Sequence, residues 1–167
     1  MVDTTPWVLP ADCSIKFANF RPVTSKLPAA GTNIMQKLKR IAVAVVEHKN
    51  RFLVGVRAPN DSLAGFHEFP GGKIELEESP QQAAVRECLE ESGVQVVAVG
   101  MYSQAVHHYE HASVELNFVA CAVEQISDPK HGFQWMDRHS LKDCTFPAGN
   151  LQLLLELRTN VPPQPLN

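Results

Sequence analysis

Residues 72–94 read GKIELEESPQQAAVRECLEESGV, a glycine turn followed by a segment with helical punctuation at both ends. Ser79 before Pro80 is a helix start, because a serine hydroxyl caps free N–H groups and proline is tolerated in the first turn. Gly93 is the matching stop. The spacing therefore predicts a helix over 80–92. At about 100° per residue, Glu87, Glu90 and Glu91 fall within one arc of roughly 100°, with Val85, Cys88, Leu89 and Ser92 opposite. One face is acidic and the other packs. Crowded carboxylates repel one another unless a divalent cation neutralises them, and hard oxygen donors suit Mg²⁺ or Mn²⁺. A solvated face of an amphipathic helix gives the same pattern. Two neighbours favour a site: the Gly71-Gly72 turn, which lets backbone approach a ligand closely, and Arg86, which can lock Glu78 in a bidentate pair.

Outward from this stretch, Arg40 to Val46 (RIAVAVV) reads as a buried strand, and His48-Lys49-Asn50 turns the chain into a second strand, Phe52 to Arg57. A loop through Asn60, Asp61 and Gly65 then leads to Glu68-Phe69-Pro70-Gly71-Gly72. Beyond the helix, Val94 to Gln104 and Val114 to Val123 read as strands, Gln134-Trp135-Met136 as a short one, and Leu151 to Arg158 as a helix. Residues 1–37 hold Pro6, Pro10, Pro22 and Pro28 without sustained periodicity and read as an irregular extension. Residues 38–160 form the expected domain. Residues 161–167, with three prolines, are expected to be a loose tail.

The 167 residues are 44% hydrophobic, enough for one substantial core and too few for two ordinary domains. Lys and Arg total 15 against 18 for Asp and Glu, a net charge of −3, so the global field attracts neither nucleic acid nor an anionic membrane. The expected partner is a small anionic molecule, held locally. No apolar run approaches the roughly 20 residues that span a bilayer, and MVDTTPWVLP lacks a basic region followed by an apolar block. The expectation is a soluble, unexported, cytoplasmic protein. Cys13, Cys88, Cys121 and Cys144 form no C-x-x-C pair and read as thiols in a reducing compartment.

The same stretch resembles the Nudix box G-x5-E-x7-R-E-U-x-E-E-x-G-U, matched at Gly72, Glu78, Arg86, Glu87, Glu90, Glu91, Gly93 and Val94. Only Cys88 departs, at an aliphatic position. The resemblance implies an α/β fold, a Nudix-type α/β/α sandwich with a mixed β-sheet. It implies Glu87, Glu90 and Glu91 as ligands of Mg²⁺, or of Mn²⁺, with the Gly72 carbonyl as a further ligand and Glu78 and Arg86 as supporting groups. Such a site attacks phosphorus with an activated water and leaves a nucleoside monophosphate and pyrophosphate.

Outside the box the chain is most similar to the MutT-like branch, which removes oxidised guanine nucleotides such as 8-oxo-dGTP and so sanitises the nucleotide pool for DNA repair. The similarity rests on EFPGGKIE, Ile41-Ala42-Val43, Trp135-Met136 and Phe146-Pro147-Ala148-Gly149-Asn150, the last like F-P-P-A-N, and covers about residues 38–158. It places Arg57 and Asn150 on purine contacts and makes Gly71, Gly72, Lys73 and Tyr109 further substrate contacts. Plainer roles stand beside these. Asn150 is also a natural N-cap for the helix after it, and Arg57 an edge charge. His107-His108-Tyr109-Glu110-His111 reads as an exposed turn rather than a metal site. Tyr109 also suits relatives that cut dinucleoside polyphosphates. The branch carries an extra acidic residue in the loop before the Trp-Met strand, where this chain offers only Asp128; Glu87 or Glu91 is the other candidate base. Hydrolysis of another nucleoside diphosphate derivative, such as a nucleotide sugar, and a non-catalytic nucleotide-binding module are the alternative functions.

Overall fold

The computed structural model describes residues 38–60, 63–108 and 113–166. Strand β1 (Lys39–His48) and strand β2 (Arg51–Val56) form a hairpin, with Glu47 opposite Phe52 and His48 opposite Arg51. Its two-residue turn has Lys49 at φ 49° and Asn50 at φ 62°. Two consecutive left-handed residues match the twist of the flanking strands. The short strands β3 (His67–Glu68) and β4 (Gly71–Lys73) follow. They pair with different partners, β3 with β2 and β4 with β1, so the chain changes partner at Phe69-Pro70. The acidic helix emerges from this crossing.

Helix α1 (Pro80–Ser92) has the expected bounds. The Ser79 hydroxyl accepts the Gln82 N–H, the Gln82 side chain accepts the Ser79 N–H, and Gly93 closes the helix at φ 70°. Strands β5 (Val96–Met101), β6 (Ala105–His108) and β7 (Ser113–Val123) come next. The single strand expected over 94–104 therefore ends at Met101, and β6 begins after three intervening residues to pair with the opposite end of β7. His107 and His108 belong to this strand, not to a turn; Tyr109, Glu110 and His111 lie outside the described residues. Strand β8 (Gln134–Asp137) pairs with β2. Two 3-10 turns (Arg138–Asp143 and Ala148–Asn150) lead to helix α2 (Leu151–Arg158).

β1 runs parallel to β7 and antiparallel to β2 and β4, so the sheet is mixed. Alternate β1 residues feed two cores. Ala42, Ala44 and Val46 pack with Ala83, Ala84 and Cys88 of α1, and Val43 and Val45 pack with Leu153 and Leu157 of α2. A helix on each face makes the expected α/β/α sandwich. One detail differs: Leu89 is 46% exposed, because it falls at the margin of the packing arc, where Ala84, Cys88 and Ser92 make the contact.

The C-terminal segment is tethered rather than loose. Strand β9 (Gln164–Pro165) pairs with Gly100 and Met101 of β5. Proline is harmless on an outer edge, and a Cβ at Gly100 would collide with the Gln164 carbonyl. The folded unit thus extends past residue 160. The proposed extension, residues 1–37, lies outside the described residues.

Arg138 ties the end away from the acidic cluster. It donates to the Leu157 carbonyl (2.6 Å), the Glu47 carboxylate (2.6 Å) and the Asn50 side-chain oxygen (3.0 Å), and lies 4.8 Å over the Phe52 ring. Arg138→Ala strands three acceptors, and urea unfolding is expected to show a loss of about 2 kcal/mol. A loss below about 0.5 kcal/mol would show that the cluster is idle.

Candidate active site

The acidic arc of α1 lies along β4. The Gly71 N–H donates to Glu91 Oε2 (3.0 Å), and the Lys73 carbonyl accepts from Arg86 Nη2 (3.1 Å). Between them, Gly72 lies so close to Glu87 that a Cβ there would overlap the carboxylate. Helix and strand are thus stitched together residue by residue, and both glycines are there for close approach.

Arg86 organises the site. Its Nε and Nη2 grip Glu78 Oε1 and Oε2, each at 2.9 Å, while Nη1 donates to Glu87 Oε1 (2.8 Å) and Glu90 Oε2 (3.4 Å). Hydrogen bonds from Arg86, and then from the Glu75 N–H, hold the Glu78 carboxyl below the usual carboxylate range. The same bonds, to Glu78 first and Glu87 second, raise the Arg86 guanidinium far above its ordinary value. Its planar fork suits this many oxygens.

Glu91 has a different setting. Burial raises its carboxyl; the Gly71 N–H opposes this, and the charges of Glu68 and Glu87 add to the rise. Glu68 escaped the sequence analysis. It stands directly opposite Gly55 in the β2–β3 pair and so shares that residue's side of the sheet, where Phe133 packs. Its Oε2 lies 2.7 Å from Arg57 Nε. The signal that reveals it is non-local: a strand pairing of only two residues.

The donor chemistry fits a hard divalent cation, namely several carboxylates and a glycine carbonyl on adjoining backbone, with Glu90 59% exposed at the edge. Among the described residues, no three acidic or histidine side chains converge into a ready-made metal cage. Glu87 and Glu90 turn to Arg86, and Glu91 to the Gly71 N–H, as mutually repelling carboxylates do when donors are at hand.

With this geometry in view, the NUDIX domain family model matches residues 41–156. The chain belongs to the Nudix hydrolase family. Its Nudix relatives include the 8-oxo-dGTP diphosphatase of Escherichia coli strain K12, 31% identical over 130 residues, which cover 74% of this chain and 98% of that one. The CTP pyrophosphohydrolase of the same organism is 39% identical over 66 residues, 40% of this chain and 48% of the relative. Among solved Nudix structures, the MutT protein from Methanosarcina mazei Go1 superposes with a TM-score of 0.66 at 22% identity, covering 77% of this chain and 99% of that one. Cys88, the departure from the Nudix box, is fully buried among Ala83, Ala84 and Val94. Burial pushes its thiol up to about 11, so it acts as a small apolar residue.

The remaining candidates of the Nudix domain divide between the two faces of the sheet. Lys73 ends β4 with its side chain exposed. Arg57 joins the acidic side through Glu68. Asn150 belongs to the other side, where the preceding Gly149 is packed against Leu116. There Phe146 stacks on Phe69 at 5.0 Å and lies 5.8 Å from the His67 ring, and the Thr145 carbonyl accepts the His67 N–H at 2.7 Å. Asn150 makes no side-chain capping bond, so its N-cap role is not realised. The 3-10 turn before it already places its backbone at φ −88°, ψ −4°, inside a helical turn instead of the extended cap conformation. In the loop before β8, Asp128 is exposed, whereas Lys130 lies against Gly93 and Phe133 against Gly55. Tyr109 lies outside the described residues.

Proposed function

We propose that the chain is a Mg²⁺-dependent nucleoside triphosphate pyrophosphohydrolase that favours purine, and in particular oxidised guanine, nucleotides. The observation that carries this reading is the alignment of Glu87, Glu90 and Glu91 along the Gly71-Gly72-Lys73 strand, organised by Arg86. Glu87, Glu90, Glu91 and the Gly72 carbonyl would hold the metal, which supplies charge neutralisation at phosphate oxygens and a more acidic bound water. Arg86 fixes the carboxylates so that none reorganises during attack, and Glu78 fixes Arg86. Glu87 or Glu91 then accepts the water proton, since Asp128 is exposed in its loop. Oxygen attacks the phosphorus on one side of the α–β phosphoanhydride bond, that bond breaks, and the phosphate group on its other side leaves with the bonding pair, giving the monophosphate and pyrophosphate. The E. coli 8-oxo-dGTP diphosphatase, similar over nearly its whole length, supports the oxidised-purine preference.

Asn150 is the proposed base reader, because an amide presents donor and acceptor side by side and is not used here as a cap. Asn150→Ala is expected to lower kcat/KM for the preferred purine nucleotide by about 1 to 3 kcal/mol while leaving a poor pyrimidine substrate nearly unaffected. Unchanged selectivity with lowered stability would return Asn150 to a structural role. The substrate itself is tested by hydrolysis of a panel holding 8-oxo-dGTP, dGTP and CTP with Mg²⁺ or Mn²⁺. CTP as the best substrate would replace the purine reading with that suggested by the CTP pyrophosphohydrolase.

A further inference from the structure

Arg57 and Glu68 form a second arginine–glutamate pair at the acidic cluster, separate from Arg86 and Glu78. Arg57 Nε and Glu68 Oε2 are 2.7 Å apart, with the two side chains 30% and 27% exposed. The pair is built by the backbone: Glu68 stands opposite Gly55, Arg57 follows two residues later on the same side, and the Arg57 N–H donates to the Phe66 carbonyl at 2.9 Å. Glu68 shares the side of Gly55, where Phe133 packs on the core beneath α1, and it stands three residues before Gly71, whose N–H donates to Glu91 Oε2 at 3.0 Å. Gly149, which precedes the candidate base reader Asn150, packs instead against Leu116 on the face covered by α2.

We infer that Glu68 is a positioning residue, which holds the Arg57 guanidinium over the acidic cluster so that it meets the phosphate chain of the substrate rather than its base. The inference rests on the proposed phosphohydrolase reading. A phosphate chain brought to Glu87, Glu90 and Glu91 carries negative charge to a place already rich in it, and a guanidinium held by Glu68 on the same face offsets that charge with a planar fork suited to phosphate oxygens. Glu68 holds the guanidinium in place through this ion pair. On this account Arg57 contributes alike to every nucleoside triphosphate and does not distinguish bases.

The test is binding of inorganic triphosphate, with Mg²⁺, to the full chain and to Glu68→Gln, Arg57→Gln and the double variant, alongside kcat/KM for one purine and one pyrimidine nucleotide. Each single variant is expected to bind triphosphate about tenfold more weakly. The double variant should be no weaker than Arg57→Gln, because Glu68 supports triphosphate binding only through Arg57. Losses in kcat/KM should be equal for the two bases. Should Arg57→Gln fail to melt cooperatively, Arg57→Lys, which keeps the charge without the fork, gives the same comparison. Undiminished triphosphate binding, additive losses in the double variant, or a changed purine-to-pyrimidine ratio each overturn the inference. A wild-type chain that hydrolyses no nucleotide would defeat the phosphohydrolase reading, while triphosphate binding would still decide the role of the pair.

Discussion

Glu87→Gln, Glu90→Gln and Glu91→Gln are each expected to lower turnover by at least ~100-fold at saturating Mg²⁺, with cooperative melting retained. The substitution keeps the shape of each side chain and removes its charge, so a divalent cation loses a ligand while the helix keeps its packing. The three should differ in stability. In Glu87 and Glu90 the change removes an ion-pair partner from Arg86, whereas in Glu91 it relieves a half-buried carboxyl that desolvation and neighbouring charge already make reluctant to ionise. Glu91→Gln is therefore expected to be the most stable of the three and still inactive. Turnover is measured as pyrophosphate released, and stability by thermal melting. Wild-type rates in all three variants would remove the metal role from this helix.

The adjacent glycines should respond in opposite ways to the same added methyl group. In Gly72→Ala the new Cβ meets the Glu87 carboxylate, the movable end of a side chain, so the protein should fold and lose about 100-fold in turnover as that carboxylate is displaced. In Gly71→Ala the Cβ meets the Ala42 carbonyl and the Val43 Cα, which belong to β1 and cannot give way. Its expected effect is a loss of about 1 to 3 kcal/mol, seen as a lower Tm. Full activity in Gly72→Ala would show that the Glu87 position observed here is not the working one.

How much of this was legible in the sequence follows from how local each signal is. The bounds of α1 are carried by Ser79, Pro80 and Gly93, residues that act within a turn of themselves, and they match the structure at both ends. Helix α2 likewise matches over Leu151–Arg158. The matched positions of the Nudix box indicated the family, which the family match over 41–156 bears out. By contrast, β3 and β4 span two and three residues, β4 opens with two glycines, and Phe69-Pro70 separates the pair, so neither carries a strand pattern. Strand β9 holds a proline and exists because Gly100 leaves room for it. Glu68 was hidden for the same reason, since only the pairing of Gly55 with Glu68 sets its side of the sheet. The N-cap alternative for Asn150 failed because the 3-10 turn upstream had no sequence period to announce it.

The most direct test of the account is pyrophosphate release by the wild-type chain from 8-oxo-dGTP, dGTP and CTP, with Mg²⁺, with Mn²⁺ and with a chelator. The account predicts a monophosphate and pyrophosphate in equal amounts, fastest from 8-oxo-dGTP and abolished by the chelator. No release from any of the three with either metal, or release that survives the chelator, would contradict it.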